Sequence, residues 1–146
     1  MRITMIDLQC EDIMWFAVDI HGRIFACTSA GEGNVPEFVC ENRENVDFLE
    51  DFFLNELQIN TKEQHCLPVN KQNQLICDFV SLSGKGIYCF DSYIDDAMQR
   101  KYKKITTPAK PISFDELPTK IKLVLAKNRI DVDVDINEYI VVPHAY

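Results

Sequence analysis

The 146-residue chain has no apolar run long enough to cross a bilayer: its longest, such as Ile13–Val18, fall far short of the roughly 20 residues a spanning helix needs. Nor does an apolar stretch follow Met1-Arg2-Ile3-Thr4, where Asp7, Glu11 and Asp12 come next. No secretion signal is therefore expected, and the cytoplasm is the expected compartment. There is no Cys-x-x-Cys, so neither a zinc knuckle nor a thioredoxin-type redox pair is supported. No His-x-x-x-His or His-Glu pair offers metal spacing, and no serine stands in a nucleophile-elbow context. No catalytic residue, metal or cofactor is expected. Internal repeats and domain linkers are missing too, and one domain over residues 1–146 is the expectation.

Basic residues are scarce where acid is dense. Residues 1–58 hold twelve Asp or Glu against three Arg, a balance of −9, while residues 100–129 hold nine Lys or Arg against two acids, a balance of +7. The whole chain carries −8. Solvated surfaces normally mix the two signs, because opposite neighbours relieve repulsion. Either the halves pair internally or the acidic half meets a basic partner. A pI near 4.8 argues against general binding to nucleic acid or to an anionic membrane, which repel net negative charge. Arg100-Lys101-Tyr102-Lys103-Lys104 puts an aromatic among cations, a weak nucleic-acid signal. Strand alternation would place Lys101 and Lys103 on one face, Tyr102 and Lys104 on the other.

Fifteen aromatics argue for a packed core, and a chain of this size buries about two-thirds of its unfolded surface. The six cysteines (10, 27, 40, 66, 77 and 89) are expected as free thiols, with Cys27, Cys77 and Cys89 in apolar stretches. The pattern predicts an α+β domain, a mainly antiparallel sheet with two or three packed helices. Ile3–Leu8 reads as a strand. Ile13–Ile20 and Ile24–Thr28 read as a hairpin turning at Gly22, and residues 29–36 as a loop. A helix over Asn45–Gln58, capped by Asn42 or Asn45, sets Val46, Phe48, Leu49, Phe52, Phe53 and Leu57 on one half of the wheel. Glu44, Asp47, Glu50 and Asp51 fall on the other, with Leu54 projecting among them. His65–Gln74 is loop-like, and Leu75–Leu82 fits strand or helix. Ser83–Gly86 reads as a turn; Ile87–Tyr93 and Tyr102–Thr107 read as strands. Ser113 and Glu116 form a capping box for a helix to about Asn128, with Pro118 in its first turns. Asp131, Asp133 and Asp135 alternate with valines as in a strand with carboxylates outward, before a terminal strand over Tyr139–Val142.

Apparent motifs fail on detail. Gly31-Glu32-Gly33 opens like a dinucleotide fingerprint, but Pro36 stands where the third glycine belongs. Ser83-Gly84-Lys85-Gly86 lacks the leading glycine and the Ser/Thr of a phosphate loop. Asp131-x-Asp133-x-Asp135 has Ile136 and Val142 where a calcium loop needs Gly and Glu. His21, His65 and His144 lie in a turn, a loop and the tail, although His21 near Asp19 and His65 beside Cys66 could act as bases.

Trp15-Phe16-Ala17-Val18-Asp19 with Gly22, Val35-Pro36-Glu37, Lys85-Gly86-Ile87-Tyr88-Cys89-Phe90-Asp91, and Pro108-Ala109-Lys110-Pro111-Ile112 leading to Leu117-Pro118 together span much of residues 13–125. In these stretches the chain resembles small bacterial immunity proteins encoded beside polymorphic or contact-dependent toxins. The resemblance implies a non-catalytic inhibitor whose partner is a toxin domain, often a basic nuclease, onto which an acidic surface steers. The expected partner-binding residues are Glu44, Asp47, Glu50, Asp51 and Leu54, with Asp131, Asp133 and Asp135 as a second acidic row. A different reading is a small enzyme or ligand-binding domain that uses the 29–36 glycine loop with His21 or His65. An apolar pocket beneath that loop would favour it.

Overall fold

In the computed structural model, which describes residues 1–58, 64–66 and 74–146 (without the side chains of 64–66 and 74–76), the hairpin forms one end of the sheet. β1 (Met14–Val18) pairs antiparallel with β2 (Ile24–Thr28) from Met14↔Thr28 to Val18↔Ile24. Asp19 closes the turn: its Oδ1 accepts from the N–H groups of His21 and Arg23, both at 2.9 Å. Gly22 supplies the φ of +80° that a side chain would resist. Every residue of both strands is buried, which means that the sheet is covered on both faces.

β2 runs parallel to β4 (Tyr88–Ile94); β4 is antiparallel to β5 (Arg100–Pro108). The far edge of β5 is shared. β3 (Gln64–Cys66) pairs with it at Thr106–Pro108, and β6 (Tyr139–Ile140) pairs at Tyr102–Lys103. The result is a mainly antiparallel sheet in the order β1-β2-β4-β5-β3, in a single α+β domain.

Helices cover one face. α3 (Arg43–Asp51) starts at Asn42, whose side chain accepts from the Asn45 N–H, and runs on into a π-turn, Phe52–Glu56. α4 (Gln74–Gly84) resolves the ambiguous 75–82 run as helix, and α5 (Thr119–Leu125) completes the layer. Their Leu49, Phe52, Phe53, Phe79, Leu82, Ile121 and Leu125 pack on Phe16, Ile24, Ala26 and Cys89 of the sheet. The opposite face is covered by α1 (Met5–Cys10), the 29–36 loop, α2 (Glu37–Cys40) and the tail after Ile130. There Trp15 meets Phe25 and Tyr102 edge to face, at 6.2 and 5.7 Å.

Several expectations are corrected. Residues 3–8 are not a strand: Thr4 and Asp7 form a reciprocal capping box that starts α1. The helix after Ser113 begins late. Ser113 accepts from the Asp115 N–H and supports only a 3-10 turn, Phe114–Glu116; Leu117 is extended, as the residue before a proline tends to be, and α5 starts after Pro118. Asp131–Asp135 is no strand, although Val134 does turn inward. The Asp133 Oδ1 accepts from the Asp135 N–H, and the segment closes as a turn. Phe48, expected inward, is 38% exposed, and Cys77 is exposed as well. His65 and Cys66, expected in a loop, lie in β3; the rest of that expected loop, at 67–73, lies outside the described residues, as do the side chains of His65 and Cys66. Cys10, Cys27, Cys40, Cys77 and Cys89 carry free thiols, and burial pushes the Cys27 thiol up.

Candidate functional site

The acidic residues of α3 divide by surroundings. Glu44 lies 2.6 Å from the Met1 amine, which holds its carboxyl low through a direct hydrogen bond. Asp47 is exposed, and Asp51 accepts from Asn55 Nδ2 at 2.8 Å. Glu50 is half-buried. Its carboxyl is pushed up, first by desolvation and then by repulsion from Asp47, Asp78 and Asp12. Carboxylates from α3, from α4 and from the segment before β1 thus share one region. Asp12 and Asp78 lie far from α3 in the chain, and no sequence spacing points to them. Among the described residues, no ion pair reaches Asp47, Glu50 or Asp51.

Of the two explanations for the sorted charge, internal pairing accounts for little of it here. Lys127 reaches Glu41 at 3.0 Å and Lys120 reaches Glu56 at 3.6 Å; these are the described ion pairs between residues 100–129 and 1–58. Lys101 and Lys103 share the outer face with Tyr139, as alternation requires, and Lys101 pairs with Asp95. Lys104 turns inward, and its Nζ donates to the carbonyls of Val134 and Asp135 at 2.6 and 2.8 Å.

Leu54 does not project among the acids. The wider π-turn carries it toward the core, where it packs partly buried with Leu57, and its carbonyl accepts from Lys85 Nζ at 2.7 Å. The apolar group that α3 does leave among its acids is Phe48, with Asp47 beside it, Glu44 one turn before and Asp51 one turn after. The second acidic row is used differently. Asp133 binds Arg23 at 2.9 Å and faces His21 Nε2 at 3.3 Å. Asp135 accepts from the Tyr88 hydroxyl at 3.0 Å, and Asp131 is exposed.

Beside the glycine loop lies an open cleft lined by Met5, Leu8, Glu32, Arg100, His144 and Tyr146. Its lining is mixed rather than apolar, and its histidine is His144, not His21. The glycines have structural causes: Gly31 takes φ +77°, and a Cβ on Gly33 would stand 2.6 Å from the Tyr102 hydroxyl. Among the described residues no group of three or more His, Cys, Asp or Glu could hold a metal ion, and no helix is long and apolar enough to cross a membrane. Fold and surface together define a single α+β domain with an acidic helical face. Comparison with family models, with curated proteins and with solved structures finds no match.

Proposed function

We propose that this chain is a non-catalytic inhibitory binding protein of the immunity type, acting in the cytoplasm on a basic, nuclease-type toxin domain. The observation that carries this reading is the α3 face itself. Asp47, Glu50 and Asp51 have no ion pair among the described residues, and the Glu50 carboxyl is pushed up, first by burial and then by its acidic neighbours. Bringing like charges together costs the free protein stability, and a cationic surface returns that cost on binding. Phe48 supplies the aromatic anchor that such an interface needs within its charged rim.

The test uses the folded full chain and the toxin domain encoded by the adjoining gene. Asp47→Lys with Asp51→Lys should leave the fold intact with no loss of stability and slow association at low salt, with the deficit shrinking as salt screens the field. Phe48→Ala should act mainly on dissociation. Unchanged association of the double variant at low salt would reject the face as the docking surface.

A further inference from the structure

The cleft beside the glycine loop is braced on each side. Tyr146 is fixed by Arg2, whose Nε donates to its hydroxyl at 3.1 Å, while the hydroxyl itself donates to the Ile3 carbonyl. Arg2 is fixed in turn by Glu37, through two bonds of 2.6 and 2.8 Å. The loop is tied to the tail twice: the Val35 N–H donates to His144 Nδ1 at 3.0 Å, and the Ala145 N–H donates to the Val35 carbonyl at 2.9 Å. A wall held this way is organised before any ligand arrives.

The Val35 bond also sets the chemistry of His144. An Nδ1 that accepts leaves the proton of the neutral ring on Nε2, which has no hydrogen-bond partner among the described residues. Burial and the nearby Arg100 charge hold the ring below its ordinary basicity, so it stays neutral near pH 7 and offers an N–H. Arg100 makes no ion pair among the described residues. Two donors, one of them a guanidinium, therefore line one cleft on a chain of net charge −8. Met5 and the Tyr146 ring add apolar wall, and exposed Glu32 disfavours a second negative charge.

We propose that this cleft binds a small amphipathic monocarboxylate, its carboxylate on Arg100 and His144 Nε2–H and its apolar body against Met5 and Tyr146. Guanidinium and carboxylate match as fork to fork, whereas a phosphate dianion would meet Glu32. The site uses none of the residues of the acidic α3 face, so it stands or falls independently of the inhibitor reading.

The test is an NMR titration of the full chain with 4-methylpentanoate, with leucine and with inorganic phosphate. Saturable shifts of the Gly31, Gly33 and Val35 amides and of the His144 ring are expected with 4-methylpentanoate in the millimolar range or below. Leucine binding as well would extend the site to zwitterions. Arg100→Gln should weaken 4-methylpentanoate about tenfold or more, and Arg100→Lys should recover part of the loss. Because Arg100 is exposed, its spectrum away from the cleft should not change. The proposal is overturned if 4-methylpentanoate gives no saturable shift, if Arg100→Gln binds it equally well, or if phosphate binds as tightly.

Discussion

On one face of the sheet, Phe16, Ile24, Ala26 and Cys89 meet three helices. On the other, Trp15, Phe25, Tyr88 and Tyr102 meet two short helices, a glycine loop and the C-terminal tail. A helix satisfies its own backbone and needs from the sheet only apolar area. Irregular cover brings carbonyls and amides that must be bonded from below. The Tyr102 hydroxyl therefore donates to the Asn34 carbonyl at 2.6 Å, Lys104 Nζ donates to two tail carbonyls, and the buried Asp19 carboxylate accepts from the Val134 N–H. The helical layer shows the same need where helical order ends. There Lys85 Nζ donates to the carbonyls of Phe53 and Leu54 at the π-turn, both at 2.7 Å. One face is a packing problem, and the other a hydrogen-bonding problem.

The largest effect should come from the helical face. Phe53 is fully buried and stacks on Phe16 at 4.6 Å. Phe53→Ala should cost about 3–5 kcal/mol in urea unfolding, the lost burial plus the cavity left against Phe16. A loss below about 1 kcal/mol would mean that this layer repacks easily, and the contrast between the faces would weaken.

That contrast also explains what could be read from the sequence. The hairpin, the α3 cap at Asn42 (one of two asparagines offered), the β4 and β5 strands and the inward Val46 and Leu49 of α3 were legible, because turn chemistry and helical period act locally. The π-turn was not legible. Phe52-Phe53-Leu54 breaks the helical wheel through its fit to Phe16 and to Lys85, a long-range condition. The 131–135 alternation was right about Val134 but wrong about the ladder, because Asp133 bonds the backbone of its own segment. The candidate site was half legible: Glu44, Asp47, Glu50 and Asp51 share the predicted face, whereas Asp12 and Asp78 join it only in three dimensions. Arg100 and His144 share a cleft although the basic run of the one and the tail position of the other gave no sign of it.

On the loop face, a smaller and more local effect is expected at Gly33. A Cβ there would stand 2.6 Å from the Tyr102 hydroxyl oxygen, 3.0 Å from its Cζ and 3.1 Å from Ser92 Cβ. Gly33→Ala should cost about 1–3 kcal/mol by forcing the loop outward and straining the Tyr102–Asn34 bond. Amide exchange should quicken at Gly33 and Val35 and stay slow in β1 and α3. Tyr102→Phe in the same chain should not restore stability, because the contacts with Cζ and Ser92 remain. Uniform loss of protection across the molecule would show that the loop face is as cooperative as the helical one.

The smallest effect compares two carboxyl groups that burial pushes the same way. Asp91, beside the loop face, is raised chiefly by desolvation, but it accepts from the Thr28 hydroxyl at 2.8 Å and from the Ser92 N–H at 2.9 Å. Glu50, beside the helical face, is raised by desolvation and by Asp47, Asp78 and Asp12, and it has no hydrogen-bond donor among the described residues. Its folded value lies above the unfolded one, so the native state binds more protons in that window. The contribution of its neutral form to stability is therefore present at low pH and lost as pH rises through the raised value. Glu50→Gln should stabilise the free protein by a few tenths of a kcal/mol at neutral pH, and it should flatten the fall in stability just above the ordinary carboxylate range. Asp91→Leu, which removes the acceptor of both bonds, should destabilise instead. Thermal unfolding of both variants at pH 5 and pH 7.5 measures the pair. If Glu50→Gln also loses stability at both pH values, Glu50 has a bonding role within the fold. If it gains stability while slowing association with the basic partner proposed above, the carboxylate cluster is held at a cost to folding that binding relieves.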